Sequence, residues 1–242
     1  MPHSNISNGS PAAVDWSAIE TVLLDLDGTL LDKYFDDYFW EEYVPLVYAR
    51  KNGITPARSR SLLLQRYRTV ENTLHWTNLD FWSEQLELDI VQLKLSVDHL
   101  IALRPYALDF LDFLEQLGKE MYLVTAAHPK TLQIKLDKVA IGHRFHRIIC
   151  TDDLGLPKEE PDFWYRLARY VTFSPGQTLL ADDTAGVLDS ARRYGIEHLI
   201  FIAQPNSRSD IRHHHEYRSI AHFNELMPPP LADPAKPAAT SR

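Results

Sequence analysis

Short apolar runs recur along the chain, and each has the length of a strand that is buried on both faces. Five of them are predicted strands, at residues 21–26, 121–125, 147–150, 178–181 and 198–202. Continuous apolar strands of this length are typical of a parallel sheet with helices on both sides. The pattern therefore predicts a parallel sheet at the centre of the protein.

Segments with the helical spacing of apolar residues separate these runs. They are predicted helices at residues 106–117, 129–139, 161–170 and 185–194. Glycine follows the first and the last of them, where it commonly ends a helix. Strands that alternate with helices in this way predict a doubly wound α/β core.

One stretch, residues 34–104, interrupts this alternation. It contains helical patterns and no clear strand, and Thr55-Pro56 predicts the start of a helix that runs to about residue 72. Aromatic residues crowd the stretch, and we expect most of them to pack in a helical bundle and a few to face a ligand.

The interruption divides the chain into two predicted domains. Residues 14–33 and 105–226 would form the core domain, and residues 34–104 an α-helical cap domain inserted after the first strand. The ends at 1–13 and 227–242 are rich in small residues and proline, so we expect them to be disordered tails.

Composition and charge narrow the range of partners. Hydrophobic residues make up 45% of the chain and charged residues 24%, an ordinary globular mixture. The net charge of −8 does not favour binding to a nucleic acid. No apolar run approaches the roughly 18 residues of a membrane span, and no signal peptide is visible. We therefore expect a cytoplasmic protein that binds neither nucleic acid nor membrane, and no protein partner is evident.

Four polar sites follow the predicted strands, where ligands of open α/β sheets bind. The first is the string DLDGTL at 25–30, in which Asp25 and Asp27 would share one face of a straight strand. One carboxylate can attack phosphorus while the other transfers protons. Gly28 permits a tight turn directly after the pair.

The other three sites offer groups for a phosphate and for a metal ion. Thr125 ends a predicted strand, and its hydroxyl can bind a phosphate oxygen beside backbone N–H groups. Lys158 is a point charge suited to the same anion. Asp182 and Asp183 are adjacent acids, which repel each other unless a cation such as Mg²⁺ lies between them.

In this order the four sites resemble the motif set of the haloacid dehalogenase (HAD) superfamily, over roughly residues 14–226. The strings DLDGTLLDKYFDDYFWEEYVP and LHWTNLDFWSEQLELDI, with TAAHP, PKEE and DDT, are similar to its bacterial GMP/IMP 5′-nucleotidase branch. The resemblance implies a Rossmann-like HAD core with an inserted helical cap. It also implies a Mg²⁺-dependent phosphatase that hydrolyses purine 5′-mononucleotides.

The same resemblance implies roles for the acids. Asp25 would be the nucleophile that forms an aspartyl-phosphate, and Asp27 the general acid and then the general base. Mg²⁺ would be held by the Asp25 carboxylate, the Asp27 backbone carbonyl and Asp183. Asp182 would support the ion directly or through water.

Thr125, Ala126 and Lys158 would bind the transferring phosphoryl group. Two features depart from the superfamily pattern. Ala126 stands where relatives often carry Asn or Gly, so only its backbone N–H is available. Relatives often have proline directly after the motif lysine, whereas here Lys158 is followed by the string EEP at 159–161. We therefore expect the loop around Lys158 to have a different shape.

Two alternatives fit part of the sequence. A HAD phosphatase for a sugar phosphate or phosphoglycolate would share the same core motifs, and only the aromatic cap favours a flat base. A receiver-like switch module also combines an acidic pair, a phospho-accepting Asp, a Thr and a Lys. Receivers lack a helical insertion, however, and their phospho-acceptor follows the acidic pair. We expect an enzyme for a small-molecule phosphomonoester, with Lys33, Asp37 and His75 near the mouth of its site.

Overall fold

A parallel sheet lies at the centre of the computed structural model, which describes residues 13–71 and 73–228. Its strands are β1 (Thr21–Leu24), β2 (Glu120–Thr125), β3 (Arg147–Cys150), β4 (Thr178–Asp182), β5 (His198–Ile202) and β6 (Arg218–Ile220). The strand order is β3-β2-β1-β4-β5-β6, and every neighbouring pair is parallel. The predicted α/β fold class is confirmed, and each predicted strand is present.

Helices cover the sheet and fill the interrupted stretch. They are α1 (Tyr34–Tyr38), α2 (Val44–Asn52), α3 (Pro56–Arg68), α4 (Leu79–Leu86), α5 (Ile90–Ser96), α6 (Ala107–Gln116), α7 (Pro129–Val139), α8 (Thr151–Leu154), α9 (Pro161–Tyr170) and α10 (Ala185–Tyr194). A π-helical segment, Phe39–Tyr43, joins α1 to α2. We refer to α1–α5 as the inserted helices.

The helix from Thr55 begins as predicted but ends early. The Thr55 hydroxyl accepts a hydrogen bond from the Arg58 N–H, which caps the first turn of α3. At the other end, the Thr69 hydroxyl donates to the Arg66 carbonyl at 2.7 Å. This bond lies in the last turn, and α3 ends at Arg68 rather than near residue 72.

Alternate residues of β1 point into two different apolar clusters. Val22 and Leu24 join a cluster that includes Phe110 of α6 and Trp82 of the inserted helices. Leu23 points to the other face of the sheet, against side chains of α9 and α10. The strand is therefore buried on both faces, as its continuous apolar run predicts.

The domain boundaries stay predictions. The inserted helices occupy most of residues 34–104, and their side chains share one apolar cluster with the sheet. The tails predicted at 1–13 and 227–242 lie outside the described residues, apart from residues 13, 227 and 228. Among the residues that are described, no helix combines the length and apolar character needed to span a membrane.

Candidate active site

The carboxyl ends of β1, β2 and β4 bring the predicted site residues to one edge of the sheet. Leu24 at the end of β1 pairs with Leu123 of β2 and Ala181 of β4. Asp25 therefore follows β1 directly beside Asp182, the last residue of β4. The inserted helices face this edge across a cavity of about 500 Å³.

Lys158 joins two of these acids. Its Nζ lies 2.6 Å from Asp25 Oδ1 and 2.7 Å from Asp182 Oδ2. It also donates to the Val124 carbonyl at 3.3 Å. All three charged side chains are buried, so the ammonium offsets much of the cost of holding two carboxylates away from water.

Asp183 lies on the cavity side of this group. Its Oδ2 accepts a hydrogen bond from Lys33 Nζ at 2.7 Å, and its Oδ1 from the Thr184 hydroxyl at 3.2 Å. Gly28 packs against the same carboxylate with φ of +88°, and a Cβ there would lie 2.5 Å from Asp183 Oδ2. Glycine is therefore required after the acidic pair both by its backbone conformation and by this close contact.

Three carboxylates of the group fit a hard divalent cation. Asp25, Asp182 and Asp183 each offer an oxygen, and these atoms all lie within 4.8 Å of one another. Carboxylate oxygens are the protein ligands that Mg²⁺ prefers. The predicted metal site thus has its side-chain donors together, while the roles of the Asp27 carbonyl and of each carboxylate stay predictions.

Asp27 makes a contact that the sequence did not indicate. Its Oδ1 accepts a hydrogen bond from Lys135 Nζ at 2.6 Å, and Lys135 also contacts Asp36 Oδ2 at 2.6 Å. Asp36 in turn accepts a hydrogen bond from Lys94 Nζ at 2.9 Å. Sequence reasoning missed Lys135, Asp36 and Lys94, although each of them lines the cavity.

One signal in the sequence pointed to both buried lysines. Lys135 follows Thr131 and Leu132 at the spacing of the buried face of α7. Lys94 likewise follows Ile90 by one helical turn on the buried face of α5. A lysine at a core position of an amphipathic helix needs a charged partner, so the spacing indicates that an acid lies near each of these lysines.

Burial controls the protonation of the two predicted catalytic acids. It raises the pKa of the Asp25 carboxyl to about 7, against the opposing effect of the Lys158 ammonium. Burial also raises the pKa of the Asp27 carboxyl to about 6, against the opposing effect of the Lys135 ammonium. An acid whose pKa is near neutrality can both donate and accept a proton at neutral pH.

The predicted phosphate-binding loop follows β2. The fully buried Thr125 hydroxyl accepts a hydrogen bond from the Ala127 N–H at 3.0 Å, which shapes the turn. Ala126, Ala127 and His128 line the cavity, whereas Thr125 lies behind them. His128 caps the first turn of α7 through Nδ1, which accepts a hydrogen bond from the Lys130 N–H. Phosphate binding by Thr125, Ala126 and Lys158 stays a prediction.

The inserted helices and the segments that join them supply the remaining wall of the cavity, and much of this wall is aromatic or apolar. It includes Trp40, Leu64, Tyr67, Leu74 and Trp76. Of the polar residues expected near the mouth, Lys33 and Asp37 line the cavity. His75 does not; its ring stacks on Phe81 with centroids 4.6 Å apart.

The chain is similar in sequence to known proteins. Residues 19–195 match the haloacid dehalogenase-like hydrolase family. The chain is 35% identical over 215 residues to the GMP/IMP nucleotidase YrfG of Escherichia coli (strain K12), which covers 89% of this chain and 97% of that protein. It is 28% identical over 182 residues to a phosphoglycolate phosphatase of Pseudomonas fluorescens, covering 73% of this chain and 66% of that protein.

The fold is shared with a HAD phosphatase from Thermococcus onnurineus. The two structures superpose with a TM-score of 0.71 over 86% of this chain and 96% of the other, at 24% sequence identity. The architecture of sheet and inserted helices is therefore one already known among HAD phosphatases.

Proposed function

The chain belongs to the haloacid dehalogenase-like hydrolases and is a phosphomonoesterase of that family, and from this premise we propose that it hydrolyses purine 5′-mononucleotides, with GMP and IMP preferred. The observation that carries the proposal is the 35% identity to a GMP/IMP nucleotidase over 89% of the chain. An alignment of 215 of the 242 residues must include the inserted helices, several of whose residues line the cavity. The receiver-like alternative is set aside, because the matching family consists of hydrolases.

The proposed reaction begins at Asp25. One oxygen of its carboxylate attacks phosphorus, and the bond from phosphorus to the nucleoside 5′-oxygen breaks. Asp27 protonates that oxygen as it leaves. In the second half, Asp27 removes a proton from water, the water oxygen attacks phosphorus, and the acyl-phosphate bond breaks to release phosphate and free Asp25.

The surrounding charges support this sequence of steps. The acids of the site are paired with lysines in three groups, which are Lys158 with Asp25 and Asp182, Lys33 with Asp183, and Lys135 and Lys94 with Asp27 and Asp36. Hydrolases of this family generally use Mg²⁺. Held by Asp25, Asp182 and Asp183, the ion would supply positive charge for the phosphoryl oxygens. Lys158 keeps Asp25 in place between β1 and β4.

The cavity has room for a nucleoside. Its volume of about 500 Å³ falls in the range of ordinary small-molecule sites. Trp40 and Trp76 offer aromatic surface on which a purine can stack. These features support a nucleoside over a small acid such as glycolate as the leaving group.

We expect kcat/KM to be higher for GMP and IMP than for AMP, CMP and UMP. GMP and IMP carry an oxygen at purine C6, and a site that donates a hydrogen bond to it leaves that donor unpaired with AMP. An unpaired buried donor costs about 1–3 kcal/mol, which corresponds to a ratio of about 5 to 150. Phosphate release from a panel of nucleotides and sugar phosphates with Mg²⁺ measures the ranking.

The same panel includes phosphoglycolate, because one relative is a phosphoglycolate phosphatase. A clear preference for phosphoglycolate or a sugar phosphate would contradict the nucleotide proposal. It would leave the assignment as a phosphomonoesterase intact.

Tyr67 is the residue of the inserted helices that we expect to bind the base. It lines the cavity, and its buried hydroxyl has no hydrogen-bond partner among the described residues. Tyr67→Phe should lower kcat/KM for GMP about fivefold or more, since one hydrogen bond is lost, and should spare p-nitrophenyl phosphate. Tyr43→Phe is the matched control, because the Tyr43 hydroxyl contacts Ser96 outside the cavity. Equal losses for both substrates would rule out a contact to the base.

A further inference from the structure

Four charged side chains form a continuous series that starts at the predicted general acid. In order they are Asp27, Lys135, Asp36 and Lys94, which we call the buried charge chain. The Lys135 ammonium lies 2.6 Å from a carboxylate oxygen of Asp27 and 2.6 Å from one of Asp36. The other Asp36 oxygen lies 2.9 Å from Lys94 Nζ.

The buried charge chain connects segments that are far apart in sequence. Asp27 follows β1, and Lys135 lies on α7 behind the loop at the end of β2. Asp36 lies on α1 and Lys94 on α5, so both belong to the inserted helices. The position of Asp27 is therefore tied through Lys135 to the position of α1.

The two lysines have little freedom to move. Their side chains are each only 1% exposed, and a buried ammonium is costly unless it stays paired. Aromatic rings also enclose them: Lys94 Nζ lies 4.7 Å from the centroid of Phe35, and Lys135 Nζ lies 5.4 Å from the same ring. Asp36 is thus held between two ammonium groups that cannot turn to solvent.

Only one of the two carboxylate oxygens of Asp27 is hydrogen-bonded to Lys135, and the other is not. Oδ1 accepts the hydrogen bond from Lys135, while Oδ2 accepts none from any residue in the described part of the chain. Asp27 lines the cavity, so Oδ2 is the oxygen left to exchange a proton with the leaving group and with water.

We propose that Lys135 and Asp36 are positioning residues for the general acid Asp27, with Lys135 holding Asp27 directly and Asp36 holding Lys135 from the inserted helix α1. The proposal rests on the acid role of Asp27 in the proposed function. The consequence is that Asp27 is aligned for proton transfer only while α1 is docked against α7.

The test compares substrates whose leaving groups differ in their need for a proton. An alkoxide such as a nucleoside 5′-oxygen needs the acid, whereas p-nitrophenolate leaves with little help. Lys135→Met and Asp36→Asn should slow phospho-enzyme formation from GMP about tenfold to a hundredfold, the cost of a misplaced catalytic group. Formation from p-nitrophenyl phosphate should change much less, and KM for GMP should change little.

Lys130→Met is the matched control on the same helix. Lys130 pairs with Asp80 at 2.5 Å, but both side chains are at least half exposed and neither belongs to the buried charge chain. This variant should retain wild-type rates with both substrates. If Lys135→Met does not fold, the double variant Asp36→Leu with Lys94→Met removes one charge of each sign and breaks the connection to α1.

Two outcomes would overturn the proposal. One is an equal loss with both substrates in a variant whose melting temperature is close to that of the wild type, because a merely structural role acts on every substrate. The other is an unchanged rate with GMP. A failure of the nucleotide proposal is separate: wild-type protein would then not hydrolyse GMP, and the comparison would use whichever alkyl phosphate it does hydrolyse.

Discussion

Asp25→Asn should eliminate turnover of every phosphomonoester, with kcat reduced by about four orders of magnitude or more. The amide keeps the shape of the side chain but lacks the charge that attacks phosphorus, so no acyl-phosphate forms. Lys158 retains its contact to Asp182 at 2.7 Å, which should keep the variant folded. Phosphate release from GMP and p-nitrophenyl phosphate, with a melting curve for each protein, measures the effect.

Asp109→Asn serves as the control, because Asp109 is an exposed acid in the first turn of α6. It should behave as the wild type.

Chelation of divalent metal should reduce wild-type turnover by orders of magnitude, and added Mg²⁺ should restore it, since Asp25, Asp182 and Asp183 gather three oxygen donors. Near-normal turnover by Asp25→Asn, or indifference to the chelator, would show that the proposed mechanism is wrong.

The second large effect concerns Asp27→Asn, which should harm the two half-reactions differently. Without the acid, phospho-enzyme formation from GMP should slow by about 10²–10⁴-fold, the usual contribution of a general acid. Formation from p-nitrophenyl phosphate should slow far less. Breakdown of the phospho-enzyme should be slow after either substrate, because the same residue activates the water.

Rapid-quench measurement separates these steps. With p-nitrophenyl phosphate the variant should show a burst of p-nitrophenol followed by slow turnover, and with GMP it should show no burst. Equal slowing of the first step with both substrates would argue against the acid role. The Asp25→Asn variant provides the reference without any phospho-enzyme.

Local patterns in the sequence predicted most of the core. The apolar runs of the predicted strands and the spacing of the predicted helices depend only on neighbouring residues, and the structure confirms these elements to within a residue or two. The short edge strand β6, Arg218–Ile220, was not predicted, because two of its three residues are polar. The π-helical segment between α1 and α2 also has no signal in the periodicity.

The sequence also predicted that the polar residues after the strands, including Asp25, Lys158 and Asp182, would lie close together. In a parallel sheet every carboxyl end lies at the same edge, so polar residues placed after successive strands must converge. The sequence could not show that Lys158 would contact both acids, since the loop from α8 to α9 carries it back beneath the strand ends.

What the sequence determined by itself is therefore the α/β core, the inserted helices and the acids at the strand ends. Only the tertiary structure decided what surrounds Asp27. Lys135 is separated from Asp27 by 108 positions and from Asp36 by 99, and Lys94 from Asp36 by 58. Hydrophobic periodicity shows that a lysine lies on the buried face of a helix, but it carries no information about which distant acid will meet it. That partner exists only once β1, α1, α5 and α7 have packed together and removed the lysines from water.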